Sequence, residues 1–140
     1  MTDEISRSPE ESERIGKRIA EKLQAGDIIG FTGELGSGKT FFIRAICKTL
    51  GVKELVTSPT FTLMHLYTGY EKILHLDCFR IKSPEEAEML GLDEYFNSHH
   101  ICLIEWADKI ISLLPESTIH IALKHVPDKP TWRTISIDGL

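Results

Sequence analysis

Three glycines, Gly33, Gly36 and Gly38, followed at once by Lys39 and Thr40, constrain this chain more than any other feature. They lie in "GELGSGKT", where Gly33, Gly38, Lys39 and Thr40 hold the G-x-x-x-x-G-K-[ST] spacing. Glycines let a loop turn its backbone N–H groups inward without Cβ clashes, so the amides can surround an anion. The lysine adds a charge that reaches the β- and γ-phosphates of a nucleotide, and the threonine hydroxyl offers a ligand to magnesium. The helix that follows contributes the positive end of its dipole. The sequence context suits such a loop. "DIIGFT" reads as a short buried strand entering it. "FFIRAICKTLG" reads as the helix leaving it, with Ile43, Ile46, Cys47 and Leu50 on one face and Gly51 as terminator. The expected phosphate-contacting set is Gly33, Glu34, Leu35, Gly36, Ser37, Gly38, Lys39, Thr40 and Phe41. A loop of this kind predicts a bound nucleotide and leaves open what the nucleotide drives.

The remaining elements follow from period and punctuation. "SPEESERIGKRIAEKLQAG" reads as a helix, with Ser8 as cap, Pro9 in the first turn and Glu11 completing a capping box. Ile15, Ile19 and Leu23 share a face, and Gly26 can end it. "VTSPTF" reads as a loop, because Pro59 biases Ser58 away from helix. "FTLMHLY" and "KILHLDCF" read as a hairpin, "SPEEAEMLGLDEYF" as a short helical region, and "ICLIEW" as a buried strand. "ADKIISLLP" reads as a short helix stopped at Pro115. "TIHIALKHV" and "TWRTISI" alternate as an antiparallel pair would. Residues 1–140 are therefore expected to form one α/β domain, a P-loop NTPase fold with a mixed, mostly parallel sheet, flanking helices and an antiparallel hairpin at its side.

A phosphate loop of this type needs an acidic residue at the end of a neighbouring buried strand to hold magnesium or its waters. Asp77 ends "ILHLD" and Glu105 ends "ICLIE". One is expected to ligate the ion and the other to orient water, and the pattern does not divide the two tasks. Thr60 in the "TSPTF" loop reads equally as the threonine with which switch-type NTPases sense magnesium and γ-phosphate or as the start of a strand. Arg80 is placed to contact phosphate or pair with an acid, and Trp106 either to pack half-buried beside Glu105 or to contact a partner or the nucleotide. His65 and His75, on the hairpin, read as structural; His99 and His100 read as solvated.

Composition excludes several classes. The net charge of -5 argues against direct nucleic-acid binding, which calls for a basic face, and leaves RNA contact through a partner. Cys47, Cys78 and Cys102 have neither the count nor the spacing of a disulfide framework or zinc knuckle, and read as buried thiols of a cytoplasmic protein. The acidic "MTDEISRSPEESE" is unlike a signal peptide, and no apolar run is long enough to span a membrane.

"GELGSGKT", "TSPTF", "HLDCFRI" and "LIEWADKI", in this order, resemble the bacterial TsaE family, formerly called YjeE. The first motif is generic; "SPTF" followed by H-x-D-x-[YF]-R and E-W is specific, and the resemblance runs from the first helix to the final strands. It implies a small P-loop ATPase required for threonylcarbamoyladenosine synthesis on tRNA. It also implies binding of ATP or ADP with Mg2+, slow hydrolysis alone, and docking on a heterodimer of TsaB and TsaD. Hydrolysis would then reset the assembly between rounds. The family's loop threonine maps onto Thr60, its strand-end acid onto Asp77, its arginine onto Arg80 and its E-W pair onto Glu105 and Trp106. Phe41 replaces a frequent second threonine, Phe79 replaces a frequent tyrosine, and Arg133 corresponds only weakly to a common arginine of the tail. Two rivals fit less well. A regulatory GTPase needs a guanine-reading [NT]-K-x-D, and "VPDKP" has the wrong order. A small-molecule kinase needs an arginine-rich lid, and the arginines do not cluster.

Overall fold

The computed structural model describes residues 2–57 and 63–140. Its elements in chain order are β1 (Thr2–Ser6), α1 (Pro9–Ala20), β2 (Ile28–Thr32), α2 (Lys39–Thr49), β3 (Met64–Thr68), β4 (Lys72–Asp77), α3 (Pro84–Glu88), α4 (Leu92–Phe96) and β5 (Ile101–Glu105). A 3₁₀ segment (Ala107–Leu113), β6 (Ile119–Val126) and β7 (Lys129–Asp138) complete the chain. The strands form one seven-stranded sheet in the order β1-β7-β6-β2-β5-β4-β3. The centre, β6-β2-β5-β4, is parallel, and β3, β7 and β1 join it by antiparallel pairings. β2 and β5 are nearly continuous buried runs because both their faces are covered, whereas β6 alternates. β5 shows this best, with every residue from Ile101 to Glu105 buried.

Period-two alternation divides the core. Ile29, Phe31, Ile73, Leu103 and Ile121 face the layer that holds Ile19, Phe42, Ile43 and Ile46 of α1 and α2. Leu74, Leu76, Cys102 and Ile104 face the other way, onto Ala87, Leu92 and Ile110 of α3, α4 and the 3₁₀ segment. By the same alternation His75, Asp77 and Glu105 lie on the α1–α2 side. The register sets Asp77 directly across from Glu105 on the neighbouring parallel strand.

Among the described residues the expected elements are present, with local differences; most of the "VTSPTF" loop and the start of "FTLMHLY" lie outside them. α1 begins at its cap, where Glu11 N–H donates to Ser8 Oγ at 3.1 Å. The Glu11 carboxylate accepts from Arg7 N–H, one residue before the cap, at 2.7 Å. The helix stops at Ala20 and does not continue toward Gly26; Lys22 and Leu23 N–H donate to Ile19 and Ala20 carbonyls in tighter turns. The region after Ser83 is two five-residue helices, broken where Gly91 adopts φ 72°. The segment after Trp106 is 3₁₀, kinked at Ile110. β1 was not expected from so polar a stretch. It exists because β7 offers a long free edge, along which Thr2–Ser6 pair in register with Ile137–Arg133.

Candidate functional site

The site is built at the C-terminal ends of β2, β5 and β4. β2 ends at Thr32, and the loop then turns through Gly33 at φ 151°. A Cβ there would meet the Leu123 carbonyl oxygen and Ser37 Oγ, each at 2.6 Å, so no side chain fits. Gly38 at φ 98° opens α2, and no side chain caps that helix. α1 and α3 are different: each has a serine cap accepting a backbone N–H and acidic residues in the first turn. The first turn of α2 has no acidic residue. Its N–H groups are thus left for an external anion.

Lys39 is buried, and its ammonium is folded back onto the loop. Nζ donates to the Gly33 carbonyl at 2.6 Å and the Glu34 carbonyl at 3.1 Å, and stands 4.1 Å above the Trp106 ring. Burial holds the ammonium below its ordinary pKa, and the carboxylates of Glu105, Asp77 and Asp108 oppose that shift. Trp106 reaches this position through a left-handed backbone, φ 56°, between β5 and the 3₁₀ segment. Gly30 permits the approach: a Cβ on it would lie 2.8 Å from the Ala107 Cβ. Phe79 packs on Trp106 with ring centroids 5.1 Å apart, and Lys109 donates to the Phe79 carbonyl.

Glu105 joins the loop to the sheet. Its Oε1 accepts the Thr40 hydroxyl at 2.8 Å, and its Oε2 lies 2.7 Å from His75 Nε2. Asp77 is buried and accepts Phe79 N–H at 2.9 Å. Arg133 of β7 braces the loop from behind, donating to the Ser37 carbonyl at 2.9 Å and the Gly36 carbonyl at 3.4 Å. Those bonds tie the loop to β7.

The structure brings most of the expected residues into one cavity of about 410 Å³. Leu35, Gly36, Ser37, Gly38, Lys39, Thr40, Phe41, Asp77, Arg80, Glu105 and Trp106 line it, with Phe79 in addition. Gly33 and Glu34 line an adjoining space of about 720 Å³ beyond Leu35 and Trp106. Thr60 lies outside the described residues. Two contributors were not singled out by sequence reasoning. His75 read as structural, and it touches Glu105 directly. Arg133 carried little weight, and it clasps the loop. Each acts through strand pairing, which a linear motif does not display. The signal for His75 was its place two residues before Asp77, on the same face of the same strand.

The seven-stranded, centrally parallel sheet with a glycine loop between β2 and α2 is a fold of the P-loop NTPase type. The family described as Threonylcarbamoyl adenosine biosynthesis protein TsaE matches residues 6–134. The chain is 39% identical over 133 residues to the tRNA threonylcarbamoyladenosine biosynthesis protein TsaE of Bacillus subtilis, covering 94% of this chain and 83% of that one. It is 42% identical over 126 residues to the protein of the same description from Rickettsia bellii, covering 89% and 87%. A crystal structure of Bacillus subtilis YdiB superposes with a TM-score of 0.83 at 33% identity, over 97% of this chain and 83% of that chain. The chain belongs to the TsaE family, whose members take part in threonylcarbamoyladenosine biosynthesis on tRNA. Among the described residues, no helix is long and apolar enough to cross a membrane.

Proposed function

We propose that the protein binds ATP and ADP with Mg2+ at residues 33–41 and hydrolyses ATP in the service of a TsaB–TsaD pair in the cytoplasm. The observation that carries this reading is the uncapped helix N-terminus with Lys39 beside it, facing two strand-end carboxylates across one cavity. Loop amides and Lys39 would take the phosphates, Lys39 giving up the Gly33 and Glu34 carbonyls for phosphate oxygens. The donors suited to magnesium are the Thr40 hydroxyl and the Asp77 and Glu105 carboxylates, all hard oxygen ligands. Among the described residues, no three His, Cys, Asp or Glu are clustered to hold a metal alone. That fits an ion which keeps waters and shares substrate phosphates. Bound magnesium would neutralise charge developing on the transferred phosphoryl group. Asp77 and Glu105 supply the carboxylate that orients water.

Arg80 is the arginine lining the cavity among the described residues, and Arg133 is committed to loop carbonyls. An arginine finger is worth about 10³–10⁵ in rate in related chemistry. We therefore expect slow turnover alone and faster turnover with partners. The cavity rim favours a covering protein: Leu35, Phe41 and Phe79 are 76%, 38% and 40% exposed around it. tRNA would be met only through the complex, in keeping with the net charge of -5. The test is phosphate release from ATP and GTP, by the chain alone and with TsaB and TsaD. ATP-selective turnover that rises with the pair supports the reading. Phosphoryl transfer to a small acceptor, or turnover indifferent to the pair, would contradict it.

A further inference from the structure

His75 has no exposed surface, and the ring of Tyr67 on the neighbouring strand β3 has its centroid 6.3 Å from that of the imidazole. Its two nitrogens are in unequal situations. Nε2 is 2.7 Å from Glu105 Oε2, while Nδ1 has no hydrogen-bond partner among the described residues. A buried polar atom without a partner costs stability, so a histidine kept only for packing is a poor choice here. A carboxylate accepts hydrogen bonds and does not donate them. Nε2 must then carry a proton toward Glu105, in either charge state of the ring.

The consequence lies in how Glu105 is held. It is itself buried, at the end of β5, and each carboxylate oxygen has one partner: Thr40 at 2.8 Å and His75 at 2.7 Å. The Thr40 hydroxyl is also the group that the proposed magnesium would claim. Once that hydroxyl turns away, the Nε2–H of His75 is the remaining hydrogen bond in this set that fixes the direction of the carboxylate. The imidazole is suited to this, because it is immobilised by β4 and cannot follow Glu105 outward.

We infer that His75 is a positioning residue that keeps the Glu105 carboxylate aimed at the ion side of the phosphate cavity when Thr40 exchanges Glu105 for magnesium. The inference rests on the magnesium–nucleotide reading above. It concerns one chain of contacts, Thr40 to Glu105 to His75, that joins the loop to the interior of the sheet. Outer partners of metal ligands commonly change metal affinity by about 10- to 100-fold when removed.

The experiment titrates ADP calorimetrically into the full chain, with Mg2+ and with EDTA, for wild type, His75→Met, His75→Gln and His75→Asn. Glutamine places an amide N–H near the position of Nε2; asparagine is too short. The expected result is that His75→Met loses about tenfold in the magnesium-dependent gain in ADP affinity while binding in EDTA is unchanged. His75→Gln should recover most of that gain and His75→Asn should not. Equal losses with and without magnesium, or a full gain in His75→Met, would overturn the inference. No gain from magnesium in the wild type would instead overturn the reading beneath it. Long-range 1H–15N spectra of the nucleotide-free wild type supply a second measurement, which does not depend on any variant folding. A proton on Nε2 is expected, and a bare Nε2 with the proton on Nδ1 alone would refute the hydrogen bond on which the inference stands.

Discussion

Replacing Lys39 by methionine separates affinity from stability, because the structure assigns the two effects opposite weights. Without nucleotide, the ammonium has two loop carbonyls and the Trp106 face as company. Hydrogen bonds from a charged donor contribute about 1.5–3 kcal/mol each. Burial of the charge works against them, as the lowered pKa of Lys39 records. Methionine keeps an unbranched stem over Trp106 and removes the buried charge. The two carbonyls it abandons belong to Gly33 and Glu34, which line the adjoining open space, where water can replace the lysine. Stability should therefore change by no more than about 1 kcal/mol, or about 3–4 °C in Tm for a domain of this size. Phosphate offers the ammonium a full negative charge in place of carbonyl dipoles. Exchange of one set for the other should be worth about 2–4 kcal/mol of binding, which is about 30- to 1,000-fold in Kd. Calorimetry with Mg2+ and ADP measures the affinity, and a thermal melt measures the fold. An unchanged Kd would refute the assignment of Lys39 to phosphate. A collapse of Tm would show that the lysine is structural and that the opposing weights were misjudged.

Four further outcomes follow from the same structure. Gly33→Ala should destabilise the fold by more than about 2 kcal/mol in urea melts, since its Cβ meets the Leu123 carbonyl at 2.6 Å and the backbone cannot give way cheaply. Arg133→Met should weaken ADP about tenfold, roughly 1.4 kcal/mol, with the melt little changed, because its bonds to the Ser37 and Gly36 carbonyls brace the loop and not the core. Burial pushes the thiols of Cys47, Cys78 and Cys102 up to about 12, so they should resist alkylation in the native protein. In the unfolded chain these thiols lose protons near their ordinary value of about 9 while the folded chain retains them. Stability should then fall as pH rises from about 9 toward 12, read as a lower urea midpoint near pH 10 than near pH 8. Tyr67, also raised by burial, adds in that direction, and Lys39, lowered, opposes it.

What could be read from the chain depended on how locally each feature is encoded. The phosphate loop was legible because its conformation is written in adjacent glycines and its strand and helix adjoin it. The places of Asp77 and Glu105 at strand ends were legible because each closes an apolar run. Their alignment across β4 and β5 was not, since register depends on pairing partners far apart in sequence. The contacts of His75 and Arg133 were missed for that reason. His75 reaches Glu105 across 30 positions and Arg133 reaches Ser37 across 96. β1 escaped for another: its residues are polar, and its existence is due to the open edge of β7. The early end of α1 reflects tertiary fit, with Leu23 packed on the core from a turn.

The most direct test of the nucleotide assignment is a crystal structure of the chain with Mg2+ and ADP. The account expects the β-phosphate enclosed by the amides of residues 33–40, and Lys39 Nζ withdrawn from the Gly33 and Glu34 carbonyls onto phosphate oxygen. It also expects the Thr40 hydroxyl turned from Glu105 to the ion, with His75 still bonded to Glu105. Nucleotide bound elsewhere, or a loop in which Lys39 still holds both carbonyls, would contradict it.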